Sequence, residues 1–311
     1  MSDKNQNQKS KGTRQIRGAV FALTGGLCWG ISGSIGQYAF THTAMQAEWL
    51  VPIRLFTAGI ILMIWNLFRY GKNVFRPWTD RRDVLDLLIY SIPGIGFCQF
   101  LYFKTIQLST AGTATILQDL SPIPILLFTC LKSRRRPKAA EILSIILALV
   151  GVFLITTHGE TGSFSVSGAA LTTGVLCALT VALYNIQPVR LLSRHPLLIV
   201  QSWAFLLSGA LFLLVFRPWS YAYTPGPTAF LCIAGVVVIG NLLAFPIYMA
   251  GVTEIGGNKA ILYGFMEPVS AAAIGTVFLG SPFTLSDAIG FGCVFAMLVL
   301  TSISMKSGNS G

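Results

Sequence analysis

An all-α membrane protein is the fold class this sequence predicts, and three observations predict it. Of the 311 residues, 53% are hydrophobic and only 11% are charged, against roughly a quarter charged in soluble domains. The mean hydropathy is +0.68, so a soluble chain of this length would lack the polar surface to cover itself. The apolar residues fall in long runs of about 20, enough to span a hydrocarbon core of about 30 Å at 1.5 Å rise per residue. Glycine, at 31 residues, is abundant, as in membrane helices that pack closely.

On that ruler ten transmembrane helices are expected, over residues 18–40, 49–68, 84–107, 109–131, 138–157, 168–190, 196–216, 228–251, 256–279 and 285–304. The first run follows 17 polar, basic residues and is about 23 residues long, longer than a signal-peptide core, so it reads as a retained helix. Its Gly26, Gly30 and Gly33 make a small-residue face for close packing. Helix 2 carries Arg54 and helix 3 carries Lys104, each close to the outer end. Both are long enough to snorkel to the interface, with an outer gate pair of Arg54 and Glu48 as the competing reading. Helix 4 holds Asp119 before Pro122 and Pro124, and helix 9 holds Glu267 before Pro268. Proline removes a backbone donor, so a bend is expected beside each acid. Helix 6 adds Tyr184 and Asn185, and helix 8 adds Asn241 and Tyr248. Helices 5, 7 and 10 rest on length and hydropathy.

Charge sets the orientation. Lys4, Lys9, Lys11, Arg14 and Arg17 precede helix 1, Arg69 to Arg82 include five basic residues between helices 2 and 3, and Lys132 to Lys138 include five more after helix 4. Arg190, Arg194 and Lys306 fall on the same side, and the opposite loops hold only Arg217. The positive-inside rule puts both termini in the cytoplasm, which agrees with an even helix count. The net charge of +11 therefore belongs to loops, not to a nucleic-acid surface. Cys28, Cys98, Cys130, Cys177, Cys232 and Cys293 lie in apolar runs without a CxxC pair, and read as packing residues. His42, His158 and His195 sit in separate loops, so no metal site is expected.

An internal repeat appears when residues 112–155 are laid on 258–301, an offset of 146. Ala114 meets Ala260, Pro122 meets Pro268 and Glu141 meets Asp287; farther back, Gly94 meets Gly240 and Tyr102 meets Tyr248. The polar, Gly/Ser-rich "HGETGSFSVSG" separates the halves. The expected organisation is a cytoplasmic tail at 1–17, a five-helix repeat at 18–157, an extracytoplasmic linker at 158–167, a second five-helix repeat at 168–304 and a tail at 305–311. Five helices per half invert the second copy, an architecture of secondary transporters with the site at the repeat interface.

The ordered motifs "LCWGISGSIG" (27–36), "PIRLFTAGIIL" (52–62), "LSPIPILLF" (120–128), "ILALVGVFLI" (146–155), "MEPVSAAAIGTVFLG" (266–280) and "AIGFGCVFAMLVL" (288–300) resemble the drug/metabolite transporter superfamily, in its EamA-type ten-helix branch. The resemblance covers about 18–303. It implies export of small amphiphilic metabolites, amino acids or cationic compounds. One departure stands out: where such proteins often carry Gly-Glu at the ends of helices 4 and 9, this chain has Arg134–Arg135 and Gly280–Ser281.

Asp119 lies about 15 Å along helix 4, near mid-bilayer, and Glu267 reaches a similar depth in helix 9. A carboxylate there costs roughly 2.5–3.5 kcal/mol on insertion scales, so it faces a polar cavity or a partner. The bland alternative is a neutral carboxyl hydrogen-bonded within the bundle. Gln99, Tyr102, Gln118, Asn241 and Trp29 fall nearby, and Lys259, Tyr263 and Glu267 form an i, i+4, i+8 stripe. Each alone is more often interhelical glue; their convergence makes Asp119, Glu267, Gln118, Gln99, Tyr102, Asn241, Tyr263 and Trp29 the candidate substrate or ion site. Two acids among aromatic rings and amides suit an amine or cation with an apolar body.

No P-loop pattern occurs, so this chain does not itself hydrolyse ATP, and the DDxxD, HExxH and HxxxxD patterns of a lipid-modifying enzyme are missing too. The reading is a non-enzymatic secondary transporter of the cell membrane, without cofactor, acting as monomer or homodimer by alternating access with protons as the candidate coupling ion. A passive facilitator competes with it, and a membrane-embedded enzyme stands third.

Overall fold

In the computed structural model the apolar runs fold as helices. The structure describes residues 2–134, 136–157 and 166–308, with side chains at 14–134, 136–155, 166–256, 260 and 262–300. Arg135, His158, most of the expected linker and the Lys259 side chain lie outside the described residues. The first half holds α1 (Ser2–His42), α2 (Ala47–Tyr70), α3 (Arg81–Leu108), α4 (Ala111–Lys132) and α5 (Ala139–Thr157). The second holds α6 (Gly168–Ile186), α7 (Leu197–Phe216), α8 (Pro227–Ile255), α9 (257–279) and α10 (Leu285–Gly308). Among the described residues, eight are long and apolar enough to cross a membrane, and the described parts of α5 and α10 add the apolar stretches Ala139–Ile155 and Leu285–Leu300.

Two helix boundaries differ from those expected. Helix α1 extends back to Ser2, through the polar segment before residue 18, because its Lys, Gln and Arg residues are good helix formers and no proline interrupts them. Helix α6 stops at Ile186 instead of 190, since Pro188 cannot continue it, and a short helix, Val189–Arg194, follows.

The irregularities of the helices repeat with the sequence. Helices α3 and α8 loosen into π-helical turns at Tyr90–Gly96, which holds Pro93, and Val236–Leu243, which holds Gly240; their first residues are 146 apart. Helix α4 breaks between Ala111–Gln118 and Pro122–Lys132, and α9 between Gly257–Gly264 and Met266–Leu279. The first segments of α4 and α9 coincide at the same offset. Helices α5 and α10 begin alike: Glu141 Oε2 accepts from the Lys138 amide at 2.7 Å, and Asp287 Oδ2 from the Thr284 amide at 2.6 Å.

Packing follows the repeat. Helix α2 lies on α7, α4 on α9, α5 on α10, α1 on α8 and α3 on α6. Exchanging the halves maps the first three pairs onto themselves and swaps the last two, so the fold has an approximate two-fold relation. Small residues permit the closest contacts. A Cβ on Gly30 would stand 1.9 Å from Ser270 Oγ and 2.6 Å from the Glu267 carbonyl, so α1 rests directly on the broken helix α9.

Candidate functional site

The bulged helices α3 and α8 and the broken helices α4 and α9 surround a cavity of about 320 Å³, lined from both halves. Free backbone at membrane depth is tolerated where it lines such a cavity. Asp119 stands in the gap of α4, its amide bonded to the Thr115 carbonyl at 2.9 Å. Its Oδ2 is buried without a partner among the described residues. Glu267, in the first turn after the α9 break, accepts from the Tyr102 hydroxyl at 3.3 Å. Trp29 donates to the Gly240 carbonyl at 3.1 Å, satisfying an acceptor within the α8 bulge, and its ring lies 5.0 Å from that of Tyr248. Gln118 faces the Cys177 thiol at 3.6 Å, and Cys177 and Cys98 are free thiols 3.9 Å apart.

Six of the eight residues proposed from sequence line this cavity: Trp29, Gln99, Tyr102, Gln118, Asp119 and Glu267. Asn241 does not line it but stands behind Arg54, accepting from Nε and Nη2 at 3.2 and 2.8 Å. Tyr263 is outside the cavity and 36% exposed. The i, i+4 stripe fails because α9 breaks at Phe265, between Tyr263 and Glu267, so the two do not share a helical face.

Arg54 is the main correction. It does not snorkel: it is 2% exposed and lines the cavity, and its Nη2 also donates to Gln99 Oε1 at 3.1 Å. Neutral acceptors inside the bundle, and the Phe103 ring 4.1 Å away, give the guanidinium a better environment than the interface offers. The partner of Glu48 is Lys104, at 2.7 Å, and not Arg54. Sequence reasoning also passed over Gln201, which lines the cavity and accepts from Tyr90 at 2.8 Å. A lone amide in the apolar run "LLIVQSW" was the available signal.

On the side of the bundle that carries the basic loops, Asp83 is 1% exposed and meets Arg190 at 2.7 Å, Arg194 at 2.9 Å and His195 at 2.8 Å. Asp80 and Asp86 extend the cluster to Arg194 and Arg190. It ties the start of α3, in the first half, to the connector between α6 and α7.

A bundle of two related halves around an internal cavity whose largely apolar wall carries a few polar and acidic groups defines a polytopic membrane protein of the transporter kind. The chain belongs to the EamA-like transporter family, whose pattern matches it twice, over residues 16–157 and 168–303. The uncharacterized inner membrane transporter YicL of Salmonella typhimurium is 34% identical over 93% of this chain and 96% of its own. The threonine/homoserine exporter RhtA of Escherichia coli is 24% identical over 75% of this chain and 77% of its own. A solved crystal structure, 17% identical, superposes with a TM-score of 0.65 over 94% of this chain and 99% of that one, a likeness of fold alone.

Proposed function

We propose that this protein is a secondary active transporter of the inner or plasma membrane that exports small amphiphilic metabolites, amino acids or amines among them. Ten helices cross the membrane with both termini in the cytoplasm, and the second repeat is inverted relative to the first. The observation that carries this reading is the cavity itself. It is formed where four helices lose regular structure at repeat-related positions, and it gathers Asp119 and Glu267 with the rings of Trp29, Tyr184 and Tyr248. Irregular backbone, paired acids and a repeat interface are the ingredients of a midplane substrate site.

In this mechanism one half rocks against the other and exposes the cavity to each side in turn. A carboxyl of the cavity, Asp119 first, alternates between a proton and the substrate's cationic group. The Asp83 cluster bridges the halves at the face with the basic loops and has to open when that face opens. The threonine/homoserine exporter among the relatives supports efflux of amino acids, and the patterns of a membrane enzyme are not in the sequence.

The test is reconstitution. Liposomes holding the purified protein and preloaded with labelled amino acids or amines should release at least one of them faster than protein-free liposomes, and faster still with protons supplied outside. Release equal to that of protein-free liposomes for every compound would contradict transport. Release insensitive to the proton gradient would make the protein a facilitator.

A further inference from the structure

Arg54 is a buried cation without a counter-charge: among the described residues no carboxylate oxygen lies within 4.0 Å of it. Its Nε and Nη2 are held by Asn241 Oδ1 and Gln99 Oε1, and Phe103 covers one face. These neutral partners aim the guanidinium but do not neutralise it. Among the described residues Nη1 is buried with no partner, and so is Asn241 Nδ2. Arginine has no acceptor, so the asparagine must turn its oxygen toward it, and the amide N–H groups add to the surplus of donors. Unsatisfied buried donors on a cation are costly, and a guanidinium fork is shaped for a carboxylate or phosphate.

On the α4 and α9 walls of the same cavity the surplus is of the opposite kind. Asp119 Oδ2 has no partner, and the Glu267 carboxyl receives only the Tyr102 hydroxyl among the described residues. The same cavity is lined by the aromatic residues Trp29, Phe103, Tyr184, Phe205, Phe245 and Tyr248. Arg54 is the only cationic side chain lining the cavity among the described residues, so one carboxylate is balanced there and a phosphate dianion is not.

We propose that Arg54 is an anion subsite that selects substrates by their carboxylate, while the α4 and α9 acids receive the ammonium group of the same molecule. The substrate class is a zwitterionic amino acid with an apolar side chain. This rests on reading the cavity as the transport site and adds a specificity-determining residue to it.

The test uses the purified full-length chain and three probes: L-phenylalanine, its methyl ester, and phenethylamine. Binding by titration calorimetry should favour phenylalanine over either carboxylate-free probe by about tenfold or more, the worth of a charge-assisted hydrogen bond. Arg54→Gln should weaken phenylalanine by roughly tenfold to a hundredfold and leave the ester nearly unchanged, so that the preference disappears. Arg54→Lys, which keeps the charge without the fork, should retain part of it. If Arg54→Gln does not fold, Arg54→Lys and the wild-type preference decide. If wild type binds the ester as tightly as phenylalanine, or if a variant weakens all probes equally, Arg54 is a structural tie and carboxylate selection is wrong, with the cavity reading intact. If wild type binds none of the three, the proposed substrate class is wrong and the proposal fails, while the transport reading is decided by the liposome release.

Discussion

The hydroxyl of Tyr102 in α3 donates to Glu267 in α9 at 3.3 Å and joins the two halves through the wall of the cavity. It is the only hydrogen bond the Glu267 carboxyl receives among the described residues. The repeat equivalent of Tyr102 is Tyr248 in α8, which packs against Trp29 instead. The same position therefore orients an acid in one half and an aromatic wall in the other.

Tyr102→Phe removes that bond and keeps the ring contact with Phe103, whose centroid is 5.3 Å away. Stability should fall by about 1 kcal/mol, and transport should fall several-fold as Glu267 loses its orientation. Thermal melting and proteoliposome flux check the two effects separately. Flux equal to wild type would show that Glu267 needs no positioning from α3.

Gly30→Val places a branched side chain against the α9 backbone, where a Cβ already meets the Glu267 carbonyl at 2.6 Å. Overpacking of this kind costs about 1–3 kcal/mol, so a clear loss of melting temperature is expected. Gly168→Ala is the control, since a Cβ there meets nothing within 4 Å. Equal effects of the two changes would refute the close α1–α9 packing.

The Asp83 cluster makes a pH prediction through its exposed member. Arg194 hydrogen-bonds Asp80 and holds its carboxyl below the usual carboxylate range. A carboxyl depressed in the folded state stabilises fully above its unfolded value of about 3.9, and the contribution is lost as pH falls through the folded value. Asp80→Asn should therefore lower the melting temperature slightly at pH 7, and the difference should shrink steadily as the pH falls below about 3.9. A difference that persists unchanged into acid would mean that Asp80 acts by shape rather than by charge. High salt should shrink the pH 7 effect, because the pair is exposed.

Topology is open to a labelling experiment. A single cysteine at Ser163, which lies outside the described residues, should react with a membrane-impermeant reagent from outside the cell, and one at Ser133 should not. The reverse pattern would refute cytoplasmic termini.

Much of the fold was legible because its signals are additive along the chain. Twenty-residue apolar runs mark the helices, and paired positions such as Tyr102 and Tyr248 mark the repeat. Pro122 and Pro268 pointed to bends beside the acids, and breaks lie there. The site was harder to read, because a linear pattern does not say which face of a helix meets which neighbour. The nearness of Arg54 to a helix end points to the interface, but the amides that retain it in the bundle come from α3 and α8, far away in sequence. Tyr263 was joined to Glu267 by a helical periodicity that assumes an unbroken helix, and α9 breaks between them.

Asp119 is a buried carboxyl in a helix break, with one oxygen unpartnered among the described residues. Asp119→Asn keeps its shape and removes the charge. The decisive measurement is proton-gradient-driven flux of a transported substrate through Asp119→Asn in proteoliposomes, beside the melting temperature of the same preparation. Driven flux should be abolished while melting stays close to wild type. Driven flux at the wild-type rate would contradict this, and Asp119 would then be a buried polar anchor of α4 with no part in transport.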